Sequence, residues 1–169
     1  VQIEQLKRAA SDFTLSAPAL SLVQNNRGLG VQLDAPVQIR ARNGVEVRLA
    51  ALGGPVLRMA GGAPEGAIQL SVTGQDIPNL NVDVTSWQAA NGGLTAQLKA
   101  NGQTDFDPLR GVALQTAGTL SLRNGITTYQ VRDCASLQAR QVQIGENNLD
   151  QLSARLCADG RPLFTARQG

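Results

Sequence analysis

Two cysteines, Cys134 and Cys157, are the residues of this chain best placed for covalent chemistry. Between them lie two alternating runs, residues 134–144 and 147–157, on either side of Gly145-Glu146. Glycine at the first position of a two-residue loop fits a type II′ turn, so we predict a hairpin across this dipeptide. Cys134 then faces Cys157. Directly opposite Cβ atoms lie about 4.5–5.5 Å apart. A disulfide needs a somewhat shorter distance, so we expect bridging to be feasible with mild strain.

The same register sorts the remaining side chains of this hairpin onto two faces. The pairs Ala135–Leu156, Leu137–Ala154 and Ala139–Leu152 form an apolar face, and the pairs Ser136–Arg155, Gln138–Ser153 and Arg140–Gln151 share the polar face with the cysteines. Two free thiols, or a different register with a longer loop through Asn147-Asn148, are the alternatives. A disulfide here would stabilise the fold by about 3 kcal/mol and indicates an oxidising compartment, such as the bacterial periplasm.

The sequence lacks the residue patterns of other catalytic, metal-binding or phosphate-binding sites. The chain has no histidine, which excludes Ser-His-Asp sites and most zinc sites, and it has neither a CxxC pair nor a phosphate-binding loop. The densest acidic stretch, residues 105–108 (Asp-Phe-Asp-Pro), is more typical of a turn than of a calcium site. The single tryptophan, Trp87, is interpreted as a packing residue. We therefore expect no enzyme activity, no cofactor and no metal.

The elements that must carry these residues are strands. Apolar and polar residues alternate in residues 37–42, 45–49, 68–73, 80–85 and 94–99, which is the pattern of strands with one apolar and one polar face. Turn signals separate about a dozen such strands. They are Asn43-Gly44, Gly53-Gly54-Pro55, Gly61-Gly62, Asn91-Gly92-Gly93, Asn101-Gly102 and Asn124-Gly125. Only residues 2–10 offer a weak indication of a helical turn.

Composition narrows the fold and the partners. Hydrophobic residues make up 42% and aromatic residues only 3%, and the net charge of +2 is spread along the chain. Without a basic patch or aromatic platforms, nucleic acid is not an expected partner. The fold class is all-β, and the apolar sheet face must be covered, either in a long antiparallel sheet curved into an open trough or in a closed β-sandwich. The scarcity of rings to fill an interior favours the trough. With no initiator Met and no apolar run near 18 residues, residues 1–169 are interpreted as a single β-rich segment of a longer, elongated protein.

The stretch RDCASLQARQVQIGENNLDQLSARLCADGRPLF, from Arg132 to Phe164, resembles a segment of the AsmA-like envelope proteins of the YdbH type, which are relatives of TamB. Residues 18–58 share the aliphatic alternation of that family. The resemblance implies a β-taco fold, which is an apolar trough that crosses the periplasm of a protein anchored in the bacterial inner membrane. It also implies that phospholipid acyl chains are the partner. Contacts with the inner and outer membranes, and with any envelope partner proteins, would then lie outside this segment.

The resulting hypothesis is a segment of a periplasmic bridge that shields acyl chains and supports phospholipid transport between the two membranes. A structural or adhesive β-sandwich or solenoid module of the cell envelope is the alternative. The candidate groove-lining residues are the alternating aliphatics Val37, Ile39, Val45, Val47, Leu49, Ile68, Leu70, Val72, Leu80, Val82, Val84, Leu94 and Leu98.

Overall fold

The computed structural model describes residues 13–16, 20–41, 44–74, 77–106 and 108–167. These residues form strands and connecting turns, with no helix among them, so none of the described residues belongs to a helix that could cross a membrane. The helical turn considered for residues 2–10 lies outside this part of the chain. The strands are β1 (Phe13–Ser16), β2 (Leu20–Asn25), β3 (Gly28–Leu33), β4 (Val37–Ala41), β5 (Glu46–Ala51), β6 (Leu57–Ala60), β7 (Ala63–Thr73), β8 (Asn79–Ala90), β9 (Gly93–Phe106), β10 (Leu109–Arg123), β11 (Ile126–Val131), β12 (Cys134–Ile144), β13 (Asn147–Cys157) and β14 (Phe164–Arg167).

The fourteen strands form one antiparallel sheet, which confirms the all-β prediction. Four long strands, β7 to β10, make its centre. Two strands pair with the free edge of β10: β12 with its first half and β11 with its second half. β13 then pairs with β12, and β14 pairs with β11. Beyond β7 the same arrangement recurs, with β6, β3 and β2 beside one half and β5, β4 and β1 beside the other. The outermost strands on the two sides do not pair with each other, so the sheet is not closed into a barrel.

A line of interruptions crosses this sheet at one level. Ile68 pairs with both Ala51 and Val84. The register shifts beside these residues, between Gly66 and Ile68 in β7 and between Val84 and Ser86 in β8, which indicates a bulge at this level. Connections between short strands lie at the same level. They are residues 34–36 between β3 and β4, 52–56 between β5 and β6, 132–133 between β11 and β12, and 158–163 between β13 and β14. Bulges bend the strand that contains them. This interruption line therefore divides the sheet into two halves, one containing β2, β3, β6, β11 and β14 and the other containing β1, β4, β5, β12 and β13.

The turn signals in the sequence are mostly confirmed. Asn91-Gly92 and Asn124-Gly125 are tight hairpin turns with positive φ at both residues, from 53° to 72°, as type I′ requires. Asn101-Gly102 was the wrong prediction, because both residues lie inside β9. Each is paired on both sides, Gly102 with Leu80 and Leu114. Pairing with two long neighbours overrides the local turn preference of this dipeptide.

The cysteine hairpin forms as predicted. Its strands are residues 134–144 and 147–157, and Cys134 is disulfide-bonded to Cys157 with a Cα–Cα distance of 4.0 Å. Gly145 has a φ of 63° and Glu146 is not among the described residues with positive φ, which fits type II′. One predicted pair, Arg140–Gln151, is missing from the ladder, because Gln151 adopts a φ of 57°.

Few side chains in the described residues are buried. The buried apolar residues are Leu33, Ala96, Val112, Val131, Ala135, Ala139 and Val142, and no large side chain is fully buried. Most of them are small. A sheet packed face to face on a second layer would instead bury its largest aliphatic residues.

Candidate functional site

The ladder registers place apolar residues on one face of the sheet and polar residues on the other. Residues that pair directly across antiparallel strands share a face. One row of direct partners crosses eight strands from β4 to β13 and contains only apolar residues and glycine: Ile39, Val47, Val72, Leu80, Gly102, Leu114, Leu137 and Ala154. The neighbouring row is polar from end to end: Gln38, Arg48, Ser71, Asn81, Asn101, Gln115, Ser136 and Arg155. We call the first side the apolar face and the second side the polar face.

The structure brings the candidate groove-lining residues together on the apolar face. Twelve of the thirteen lie there by direct pairing: Val37, Ile39, Val47, Leu49, Ile68, Leu70, Val72, Leu80, Val82, Val84, Leu94 and Leu98. The thirteenth, Val45, precedes β5 and approaches Gly74 beside Ile77. All thirteen are partly exposed and none is buried.

The apolar face extends well beyond these candidates. Thirteen large apolar side chains of the described residues are exposed: Leu20, Leu22, Leu29, Leu57, Met59, Leu114, Leu137, Ile144, Leu149, Leu152, Leu156, Leu163 and Phe164. Pairing and alternation place all of them except Leu163 on the apolar face. Alternation in the sequence places Leu137, Leu152 and Leu156 on the apolar face of the cysteine hairpin, though not among the groove-lining candidates. Leu57 and Met59 were not predicted, because the four-residue strand LRMA is too short for alternation to be recognised.

Three adjacent strands change their alternation together, and this keeps the apolar face continuous. The segments Leu109–Val112 of β10, Ala139–Val142 of β12 and Leu149–Leu152 of β13 each place two residues between apolar ones where one is usual. Gly111 and Gln151 have φ values of 60° and 57° at this level. Leu109 and Val142 consequently pack with Val112 and Ala139 in one cluster. The repeated apolar-x-x-apolar spacing is the sequence signal that identifies this feature.

Tyr129 and Trp87, the two aromatic polar side chains on the apolar face, are hydrogen-bonded within the protein. The Tyr129 hydroxyl lies 2.8 Å from the Thr116 hydroxyl oxygen, and the Trp87 Nε1–H donates to the Val56 carbonyl oxygen at 3.2 Å. The Tyr129 ring crosses Gly118, where an added Cβ would lie 3.0 Å from Tyr129 Cζ and would overlap the Gln130 carbonyl. Because these two side chains have partners within the protein, an apolar ligand can cover them without leaving their polar atoms unpaired.

The polar face shows the features of a water-exposed sheet surface. Arg40 Nε donates to Glu46 Oε2 at 2.8 Å, and Gln69 Nε2 donates to Asp83 Oδ1 at 2.8 Å. The disulfide lies on this face, as predicted from the register. Asp107 of the acidic stretch lies outside the described residues. Within the described ranges, no group of three or more His, Cys, Asp or Glu is placed to hold a metal ion.

The dimensions of the apolar face determine what it can bind. Nine strand positions about 4.8 Å apart, each about 12 residues long, give an area of roughly 1,500 Å². Soluble monomers rarely expose contiguous apolar patches larger than a few hundred Å², and larger ones mark interaction sites. A predominantly aliphatic surface of this size suits an apolar ligand or another apolar surface. Comparisons with protein family models, curated proteins and solved structures give no match to this chain.

Proposed function

We propose that this chain is a segment of a periplasmic bridge that shields lipid acyl chains and supports phospholipid transport between the inner and outer membranes. The observation that carries the proposal is the continuous apolar face, most of whose large aliphatic side chains remain partly exposed to water. In this proposal the sheet bends along the interruption line into an open trough, with the apolar face inside and the polar face in water.

The energetics favour a lipid occupant. Each methylene group removed from water contributes about 0.8 kcal/mol. An acyl chain of about 15 methylenes that lies on an open face loses contact with water on roughly half of its surface, which corresponds to about 6 kcal/mol per chain. Such binding needs no specific pocket. A lipid can therefore move from row to row of the apolar face without a large change in free energy.

The cysteines and the resemblance both support a periplasmic location. A disulfide that closes an exposed hairpin persists in oxidising compartments, of which the periplasm is one. The resemblance of residues 132–164 to AsmA-like proteins supports the same location, with the anchor in the inner membrane outside this segment.

The single tryptophan provides a direct test of acyl-chain binding. Trp87 lies on the apolar face, and its ladder neighbour Gln88 lies on the polar face. We expect phospholipid with dibrominated acyl chains to quench Trp87 fluorescence, and the same lipid without bromine to leave it unquenched. In the control variant, Trp87→Phe combined with Gln88→Trp, brominated lipid should have no effect. Equal quenching of both proteins, or of neither, would contradict the proposal and leave a structural envelope module as the better reading.

A further inference from the structure

The two ends of the strands differ in charge. We call one end the arginine rim: it carries the turns at residues 26–27, 61–62, 91–92 and 124–125 and the last residue of β14. Its charged residues are Arg27, Arg123 and Arg167, all exposed, with no acidic side chain among them. The opposite end, the acidic rim, carries Pro108 between β9 and β10 and the turn at residues 145–146.

The acidic rim carries both signs of charge in its described residues. Its carboxylates are Asp105, Glu46, Glu146 and Asp150. Arg110 and Arg140 share a small surface depression with Asp105 and Asp150, and Arg40 forms an ion pair with Glu46 at 2.8 Å. Four carboxylates and three arginines give this end a net charge of −1, against +3 at the arginine rim.

The arginine rim holds the entire net charge of the described part of the chain. These ranges contain 12 Arg and Lys and 9 Asp and Glu, a net charge of +3. Away from the rim positive and negative residues balance, and Arg58 is paired with Glu65 at 2.8 Å. Arg27, Arg123 and Arg167 form no ion pair with a described carboxylate, so their charge is available to a ligand.

Two of these arginines lie close together at the arginine rim, where their pairing places both on the polar face. Arg123 pairs with Ile126, and Ile126 pairs with Arg167, so the two arginine Cα atoms are about 10 Å apart across two strand spacings. The preceding residues, Leu122 and Ala166, belong to the apolar face. At the end of a strand, long side chains can reach around the edge towards a ligand on either face.

The distance from the interruption line to this rim suits an acyl chain. In β10, Gly118–Arg123 spans six residues, about 20 Å of extended strand. An acyl chain in one leaflet of a bilayer spans about 15 Å. A chain that lies along the strands from the interruption line therefore ends close to the arginine rim.

We infer that phospholipids bind with their acyl chains on the apolar face and their phosphate at the arginine rim, where Arg123 and Arg167 interact with it. This inference rests on the proposed lipid-shielding function and adds the orientation of the lipid and a preference for anionic headgroups. Arginine provides several donors in a planar fork that matches phosphate oxygens, and its charge is permanent. The acidic rim has no such excess of positive charge, because its arginines lie among carboxylates.

Binding titrations test the headgroup preference. We would titrate the chain with dibrominated phosphatidylglycerol and with dibrominated diacylglycerol, which lacks phosphate, and follow quenching of Trp87. Arg123→Gln combined with Arg167→Gln should weaken phosphatidylglycerol binding about tenfold, because each arginine near an anionic lipid contributes several-fold. Diacylglycerol binding should change less than twofold. Lys99→Gln, which removes a charge from the polar face away from the rim, should leave both lipids unaffected.

The outcomes separate this inference from the function on which it rests. If the double variant weakens phosphatidylglycerol no more than Lys99→Gln does, the rim is not the phosphate site, although acyl-chain binding stands. If neither lipid quenches Trp87, the proposed function itself fails.

The orientation of the lipid is tested separately by NMR. A phospholipid with a nitroxide on its headgroup should broaden the amide signals of Gly92 and Gly125 at the arginine rim and spare that of Gly145 at the acidic rim. Broadening of Gly145 instead would overturn the inference.

Discussion

Two valines in one row of the apolar face allow the open arrangement to be tested by stability. Val84 and Val131 both belong to the row that runs Ile68, Val84, Leu98, Gly118, Val131. Val131 is only 3% exposed, whereas Val84 is partly exposed. Replacing either by alanine removes two methyl groups, worth about 1.6 kcal/mol when fully buried. At Val131 a cavity adds to this loss and brings it to about 2 kcal/mol. At Val84 the site opens to water, so we expect about 1 kcal/mol.

Urea unfolding of Val84→Ala, Val131→Ala and the parent chain measures these differences. Lipid binding should show the opposite order, since Val84 can contact an acyl chain directly and Val131 is covered by neighbouring side chains. Losses of 2 kcal/mol or more in both variants would mean that Val84 is covered by a second layer of the protein. That result would refute the open face and support a closed sandwich.

The disulfide and one glycine give two further tests. Cys157→Ser combined with Cys134→Ser should lower the free energy of unfolding by about 3 kcal/mol in urea titrations, and a reductant should shift the parent but not the variant; an unchanged parent midpoint would show that the bridge does not stabilise the hairpin. Gly118→Ala should cost more than 2 kcal/mol, because its Cβ would overlap the neighbouring strand, whereas Gly54→Ala, with open space around it and no positive φ, should change stability by less than 0.5 kcal/mol. Similar values for the two glycine variants would contradict the close packing at Gly118.

Local pattern was sufficient to predict the strands and the cysteine hairpin. Alternation identified the long strands, and the Gly145 turn fixed a register that the structure reproduces from Cys134 to Ile144 apart from the Arg140 position. The candidate lining residues share one face because consecutive strands are joined by short connections that preserve the inward and outward order of the side chains.

Features that depend on neighbouring strands could not be predicted in this way. The interruption line emerges only when bulges and gaps in separate strands are aligned by pairing, because each one taken alone looks like an ordinary loop. The fate of Asn101-Gly102 likewise depends on the strands on both sides of β9. The charge difference between the two rims could also be predicted only from the order of the strands, because the arginines of the arginine rim are far apart in sequence.

Site-specific photo-crosslinking in living bacteria tests the central claim most directly. Leu98 lies on the apolar face, and the next residue, Lys99, lies on the polar face. Benzoylphenylalanine would be placed at each position of the protein, and phosphate-labelled lipid adducts would be detected after irradiation. The account predicts a phospholipid adduct at position 98 and none at position 99. Equal labelling at the two positions, or no labelling at position 98, would contradict the claim that acyl chains lie on the apolar face.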